Sequence, residues 1–223
     1  AYGLPEINKS EIKSSSLVAN PGCYPTAALL ALAPAVRENI IGEDIIIDAK
    51  SGVSGAGRSL NLTTHFSEVN ENVSAYAVKG HRHLPEITQE LSRSHNSFTP
   101  KITFLPHLIP MTRGILDSCY ATLADNFIES NDRTIAKVKD IYQDFYKNEP
   151  FVKVVDSPPM TKHTLGNNDC IVYPTVDSRT NRLVVISCID NLVKGAAGQA
   201  IQNMNLMFDM PENEGLEQLA LYP

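Results

Sequence analysis

Apolar residues recur along the chain at spacings that predict several helices. Residues 26–36 form an unbroken run rich in alanine and leucine, which is typical of a buried helix. Residues 84–94 begin with a proline in their first turn, as helices often do. In residues 132–146 the apolar positions recur at helical spacing. A long closing helix is expected over residues 191–208.

Other segments have the pattern of strands. Residues 45–49 read as a fully buried strand, and residues 73–78 alternate like a half-buried one. Residues 101–109 and 115–124 bracket a turn at 110–114, so we expect them to be antiparallel neighbours. Further short strands are expected at residues 17–20, 151–155, 170–176 and 183–189. The total of about eight strands and five helices, without strict alternation, indicates an α+β fold.

Composition narrows the class of protein. The 223 residues are 43% hydrophobic and 20% charged, which suits one large globular domain. No apolar run approaches the ~20 residues of a membrane-spanning helix. The net charge of -6 has no basic block, so neither a membrane nor nucleic acid is an expected partner. Four widely spaced cysteines suggest free thiols in a reducing compartment, the cytoplasm.

Cys23 is the strongest candidate for a reactive group. It follows a Pro-Gly turn and precedes the helix at residues 26–36. The partial positive charge at a helix N-terminus stabilises a thiolate, so we expect a nucleophile there. A buried structural cysteine is the alternative. Cys119 and Cys188 lie in apolar strands and are expected in the core.

A nucleophilic cysteine needs an imidazole, and His81 and His83 stand together before a predicted helix. If this segment is extended, the two histidines point to one side and Arg82 to the other. They would then act as an acid–base group and its neighbour, or as a substrate anchor. Metal ligation is a competing interpretation, but no third ligand stands at a suitable spacing.

Residues 50–59, KSGVSGAGRS, form a second candidate site. They follow a buried strand and combine bare backbone amides with hydroxyls and a guanidinium, which suits an anion. Gly55-Ala-Gly57 begins like a dinucleotide fingerprint, but the third glycine is missing. We interpret the segment as a phosphate or active-site loop, with a flexible surface loop as the alternative. Arg113 is a second candidate cation for an anionic substrate.

Six segments together resemble one known family. They are Tyr2-Gly-Leu-Pro-Glu6, Ala19-Asn-Pro-Gly-Cys-Tyr-Pro-Thr26, Lys50-Ser-Gly-Val-Ser-Gly-Ala-Gly-Arg58, His81-Arg-His-Leu-Pro-Glu-Ile87, Pro106-His-Leu-Ile-Pro-Met-Thr-Arg-Gly114 and Asp190-Asn-Leu-Val-Lys-Gly-Ala-Ala-Gly-Gln-Ala200. In this order they are similar to the C-terminal catalytic and dimerisation domain of the N-acetyl-gamma-glutamyl-phosphate reductases, relatives of aspartate-semialdehyde dehydrogenase. The resemblance implies a mixed, largely antiparallel sheet with helices packed on one face.

The resemblance also implies a reaction. In this arginine-biosynthesis family a cysteine attacks an acyl phosphate, releases inorganic phosphate and forms a thioester, which hydride from NADPH reduces to a semialdehyde. Cys23 would be the nucleophile. His81 or His83 would be the general acid and base, and His81 is preferred.

Binding residues follow from the same resemblance. Those expected around the substrate carboxylate and phosphate are Arg82, Arg113, Ser51, Ser54 and Arg58. NADP would be held by an N-terminal Rossmann domain outside residues 1–223. Residues 190–208 would return to that domain, with Asn191 and Gly195 touching the nicotinamide. A homodimer or homotetramer is expected.

Three alternatives stay open at this point. Aminoadipyl or aspartyl phosphate would keep the reaction and change the substrate. A cysteine hydrolase would use Cys23 and His81 without a nicotinamide. A non-catalytic module would dimerise through the strands at residues 101–124.

Overall fold

The structure, a computed structural model, describes residues 1–222 and every side chain among them except that of Asn131. The helices are α1 (Pro5–Ser14), α2 (Cys23–Arg37), α3 (Phe66–Val69), α4 (Leu84–Ser94), α5 (Asn131–Tyr146) and α6 (Gly198–Met207). The strands are β1 (Ile41–Ser51), β2 (Ser74–Ala75), β3 (Lys101–Leu108), β4 (Ile115–Leu123), β5 (Val152–Val154), β6 (Cys170–Asp177) and β7 (Arg182–Ile189). The helices predicted at residues 26–36, 84–94 and 132–146 are confirmed.

All seven strands belong to one sheet, in the order β2-β3-β1-β4-β7-β6-β5. The pairs β2/β3, β1/β4, β4/β7 and β6/β7 are antiparallel. The pairs β1/β3 and β5/β6 are parallel. The expected α+β class and mixed, largely antiparallel sheet are therefore confirmed, and the larger helices form a layer on one face.

The expected pairing of β3 with β4 is wrong. Strand β1 lies between them, parallel to β3 and antiparallel to β4. The segment that joins β3 to β4 crosses the end of β1 instead of making a hairpin. There the Gly52 N–H donates to the Gly114 carbonyl at 2.9 Å, and the Val53 N–H donates to the Met111 carbonyl at 3.0 Å. Three consecutive isoleucines at residues 45–47 favour this inner position for β1, where both of its edges are paired.

Three weaker expectations also need correction. The strand expected at residues 73–78 is reduced to Ser74–Ala75, which is exposed, and residues 17–20 form only one bridge, from Ala19 to Tyr2. Helix α1 is absent from the sequence-based assignment because its ten residues include few large apolar side chains. The closing helix expected over residues 191–208 is α6, preceded by a π-helical turn at Val193–Ala197.

Helix α2 is the centre of the domain. Every residue from Tyr24 to Val36 is buried, because α2 packs between the sheet, α4 and α5. A helix that is apolar all round is stable only when it is covered on all sides. None of the described helices is long and apolar enough to span a membrane.

Pro34 lies inside α2 and leaves the Leu30 carbonyl without its usual partner, because proline has no N–H. The Tyr146 hydroxyl of α5 donates to that carbonyl at 2.6 Å. The neighbouring Tyr142 hydroxyl donates to the Ala31 carbonyl at 2.7 Å. Helix α5 therefore supplies a hydrogen bond that the sequence of α2 removes.

We expect Tyr146→Phe to lower the free energy of unfolding by about 1–3 kcal/mol, because it leaves the buried Leu30 carbonyl unpaired. In a Pro34→Ala background the same substitution should cost less, since the new alanine has an N–H that bonds to Leu30. Urea unfolding of the four proteins measures both values. Tyr142→Phe is the control, because the Ala35 N–H still serves Ala31. An equal cost of Tyr146→Phe in both backgrounds would contradict this account.

Candidate active site

Cys23 is the first residue of α2 and lies half-buried in the wall of a cavity of about 460 Å³. The tight turn expected at Pro21-Gly22 is not formed: Gly22 is extended, and the helix begins directly after it, at the thiol. The other residues that line the cavity are Tyr24, Ser51, Gly55, Ala56, Ser59, Asn61, Thr63, Thr64, Ser74, Ala75, Tyr76, His81, Arg82, His83 and Leu108. The structure thus brings Cys23 together with both predicted histidines, Ser51 and Arg82.

Burial outweighs the stabilisation of the Cys23 thiolate that was expected from the start of the helix. Burial raises the pKa of the Cys23 thiol to about 11, although the backbone N–H groups at the helix start act in the opposite direction. Asp117 contributes to the increase and Arg82 opposes it. Cys23 is therefore a protonated thiol at neutral pH, and a nucleophilic role for it would require a base.

Asp117 is a buried acid beneath this site on β4. Its side chain is fully buried, and neither carboxylate oxygen has a hydrogen-bond partner among the described residues. Burial raises the pKa of this carboxyl well above its usual value, which favours the neutral acid.

His81 and His83 lie side by side, with ring centroids 4.7 Å apart. Their segment is a turn instead of an extended strand, since the Leu84 N–H donates to the His81 carbonyl. Burial lowers the pKa of both imidazoles, that of His83 to about 4, and Arg82 adds to both effects. Both rings are therefore neutral near pH 7.

The two rings differ in what holds them. His81 Nδ1 accepts the His83 backbone N–H at 3.1 Å, so the neutral ring carries its proton on Nε2. His83 Nε2 packs against Gly22, where an added Cβ would lie 2.5 Å from it. Tyr24 contacts both rings edge-on. His81 thus presents a donor, and His83 places a ring nitrogen beside the residue before Cys23.

Glu86 is a residue of this site to which the sequence pattern gave no role. Its Oε1 accepts the Gly22 N–H at 2.9 Å and the Tyr2 hydroxyl at 2.8 Å. The only signal in the sequence is its position three residues after His83 in the quoted histidine segment. Glu86 holds the extended segment before Cys23 through the backbone N–H of Gly22.

Ser54 and Arg58 lie outside the Cys23 cavity. They line a neighbouring open depression, and Arg58 is exposed. The Ser54 hydroxyl accepts from the Asn191 amide at 3.0 Å. The loop that carries them reaches the Cys23 cavity through its Gly55, Ala56 and Ser59 positions.

Arg113 and Asn191 have partners within the chain. Arg113 Nη2 lies 2.9 Å from Oδ2 of Asp190, whose side chain is fully buried. Asn191 is buried, and its Oδ1 accepts the Gly114 N–H at 2.7 Å. Both side chains tie the turn after β7 to the segments at residues 52–54 and 113–114. Neither lines the Cys23 cavity.

Gly195 packs directly against the candidate nucleophile. A Cβ at this position would lie 2.8 Å from Cys23 Cβ and 3.2 Å from Cys23 Cα. Only glycine therefore allows the π-helical turn to approach this closely.

The described lining of the cavity is positively charged. Arg82 is the one lining residue with a full charge at neutral pH, because the histidines are neutral. No aspartate or glutamate is among the described residues that line it. Most of the remaining polar wall consists of hydroxyl and amide groups, including Ser59, Asn61 and Thr63. Such a cavity suits a ligand that carries a negative charge and also a neutral polar group.

A family model described as "Semialdehyde dehydrogenase, dimerisation domain" matches residues 23–191. The chain belongs to this family. The matched region begins at Cys23 and ends at Asn191, so it includes the histidine turn and the whole central sheet. The remaining segments, residues 1–22 and 192–222, pack together through α1 and α6.

Two curated relatives with high identity to the chain carry the same name. The chain is 53% identical over its whole length to N-acetyl-gamma-glutamyl-phosphate reductase of Dehalococcoides mccartyi and 54% identical to that of Pelotomaculum thermopropionicum. It spans 63% of the length of each of these relatives.

Solved structures of semialdehyde dehydrogenases share the fold. Aspartate semialdehyde dehydrogenase II of Vibrio cholerae matches with a TM-score of 0.68 at 19% identity, over 92% of this chain and 67% of that one. A probable aspartate-semialdehyde dehydrogenase of Pseudomonas aeruginosa matches with a TM-score of 0.69 at 16% identity, over 93% of this chain and 68% of that one. At this identity the likeness concerns the fold.

We expect iodoacetamide to label Cys23 selectively, with a rate that rises about tenfold per pH unit between about pH 7 and pH 9, because the thiol pKa lies near 11. Peptide mapping by mass spectrometry measures the rate at each cysteine. Cys23→Ser should remove nearly all labelling, since Cys119, Cys170 and Cys188 are fully buried. A plateau below pH 9 would show instead a thiolate stabilised by the helix start.

Proposed function

We propose that this chain is the catalytic and dimerisation part of an N-acetyl-gamma-glutamyl-phosphate reductase, an NADP-dependent enzyme of arginine biosynthesis. The observation that carries the proposal is the single cavity that brings Cys23 to His81, His83 and Arg82. The names of relatives that are 50% or more identical support the same activity.

In this proposal the Cys23 sulfur attacks the acyl carbon of the substrate and expels inorganic phosphate. We assign the thiol proton to His83 and not to His81, which the sequence favoured, because His83 Nε2 lies against Gly22, the residue before Cys23. His81 donates from Nε2 to the acyl oxygen, where negative charge develops. Because both rings are neutral near pH 7, one is able to accept a proton while the other donates a hydrogen bond.

The composition of the cavity wall supports an N-acylated substrate. An aspartyl or aminoadipyl phosphate with a free amine carries an ammonium group, which needs an acidic partner when desolvated. The described lining offers none. An acetamido group is neutral, and the hydroxyl and amide side chains at residues 59–64 suit it. Arg82 is the candidate partner for the substrate carboxylate.

NADPH, when bound, supplies the hydride that reduces the acyl group on Cys23. The residues beside Cys23 fit such a cofactor, because Gly195 has no side chain that would occupy the space next to Cys23. Asn191 holds Ser54 and Gly114, so its role would be to fix the wall beside the nicotinamide. These contacts support the turn at residues 191–195 as the cofactor side of the site.

A further domain would pack on α6. Ile201, Met204 and Phe208 form an exposed apolar stripe at helical spacing, and Leu17 is 79% exposed. We propose that an NADP-binding Rossmann domain covers α6, as the greater length of the relatives suggests. The four free cysteines suit the cytoplasm.

The sheet face opposite the helices is a candidate dimer interface. Ile46, Tyr120 and Val184 are register partners on β1, β4 and β7, and all three are only half-buried. Ile45 and Ile47, on the helical side, are fully buried. We propose that two copies pack through this apolar face, in agreement with the description of the family.

Assayed at the full length of the relatives, the enzyme should oxidise N-acetylglutamate semialdehyde with NADP and phosphate. Aspartate semialdehyde should react with a kcat/KM lower by about a hundredfold or more, because its ammonium has no acidic partner. Cys23→Ser should lower turnover by about three orders of magnitude or more. N-acetylaspartate semialdehyde is the control that separates the ammonium from chain length. Substantial turnover by Cys23→Ser would rule out the thioester.

Val184→Glu should convert a dimer into a monomer, because it buries an unpaired charge in the proposed interface. Sedimentation velocity measures the change in mass. Gln143→Glu on α5 adds the same charge at an exposed position of the helical layer and should leave the dimer intact. If Val184→Glu sediments like the parent, the sheet face is not the interface.

A further inference from the structure

Lys194 is a fully buried lysine that the proposed reaction does not use. Its Nζ donates to Glu6 Oε1 at 2.6 Å and to Gln202 Oε1 at 2.7 Å. Gln202 Nε2 donates in turn to Glu6 Oε1 at 3.2 Å. This contact joins two of the quoted segments, Tyr2–Glu6 at one end of the chain and residues 190–200 at the other.

The buried ion pair of Lys194 and Glu6 is not an efficient way to stabilise the fold. Removing two charges from water is unfavourable, and the attraction between them offsets that cost only where the remaining polar atoms are satisfied. Glu6 Oε2 has no partner among the described residues. Replacing such a buried pair by apolar side chains of similar volume often leaves the overall stability of a protein unchanged or raises it. The role of the pair is therefore more readily found in its location than in its contribution to stability.

Lys194 lies in the π-helical turn, next to Gly195. Three consecutive residues of this turn contact three parts of the segment that leads to α2. Lys194 pairs with Glu6, Gly195 packs on Cys23, and the Ala196 carbonyl accepts the Asn20 amide at 3.2 Å. The turn is held by bonds of π-helical spacing, from the Gly195 N–H to the Asp190 carbonyl and from the Ala197 N–H to the Leu192 carbonyl. Such turns are often found at functional sites.

We infer that Lys194 and Glu6 are positioning residues for the nucleophile: their buried ion pair holds the π-helical turn against Cys23 and thereby sets the burial of its thiol. The inference rests on the proposed role of Cys23 and adds to it. Without the pair, the turn would relax from Cys23 and admit water to the sulfur. The thiol would then ionise more easily, while the geometry of the site would be lost.

The test is the pH dependence of iodoacetamide labelling of Cys23 in Glu6→Gln/Lys194→Met, which removes both charges and keeps the side-chain volumes similar. We expect labelling near pH 8 to be about tenfold faster than in the parent, as a fall of one unit in the thiol pKa requires. Cys119 and Cys188 should stay unlabelled, because the change is local. The measurement involves neither substrate nor cofactor, so its failure is distinct from retained turnover in Cys23→Ser.

Tyr142→Phe is the matched control, since it removes a hydrogen bond between α5 and the Ala31 carbonyl of α2 without changing the π-helical turn or its ion pair, and it should leave Cys23 labelling unchanged. If the double variant does not fold, Asn20→Ala is the second variant. It removes the bond to the Ala196 carbonyl and the bond that Asn203 Nδ2 donates to Asn20, both next to the turn, and it should give a smaller increase. The inference is overturned if the folded variant labels at the parental rate and pH dependence. Equal labelling of Cys23 and Cys119 would also overturn it, because that pattern reports global opening.

Discussion

The burial of α2 on every side determines where the Cys23 sulfur lies. Residues 24–36 contact the sheet, α4 and α5, so the helix cannot shift without exposing apolar surface on several faces. Even the carbonyl that Pro34 leaves unpaired is bonded, by Tyr146 of α5. Cys23 is the point at which this buried helix reaches a cavity. The rigidity of the core is thus transmitted to the position of one thiol.

The same burial keeps the thiol and both imidazoles of the site uncharged. A thiol with a pKa near 11 and two neutral histidines form a resting state without separated charges. Under the proposed function, Arg82 in the cavity wall supplies the positive charge for an anionic substrate. Under the proposed mechanism the proton leaves sulfur only when the acyl group is in place. This arrangement would limit side reactions of Cys23 between turnovers, because a protonated thiol is a weak nucleophile.

The sequence pattern predicted what depends on local periodicity and missed what depends on the path of the chain. Helices α2, α4 and α5 follow from apolar spacing, and the pairing of Cys23 with the histidine turn follows from segments whose residue types suit one reaction. The insertion of β1 between β3 and β4 cannot be predicted in this way, because strand order depends on how much apolar surface each strand buries when the whole sheet is assembled. The raised pKa of Cys23 depends on the depth at which α2 is buried, which no local motif encodes. Glu86, Lys194 and Glu6 act on Cys23 through contacts between distant segments, so their spacing along the chain carries no signal.

The most direct measurement is the detection of an acyl group on Cys23. The enzyme, at the full length of its relatives, would be exposed to N-acetyl-gamma-glutamyl phosphate without NADPH, so that a thioester has no route to reduction. Peptide mapping by mass spectrometry should find the N-acetylglutamyl group on the peptide that contains Cys23, and hydroxylamine should remove it. An absence of adduct with release of phosphate, or an adduct on another residue, would contradict the account.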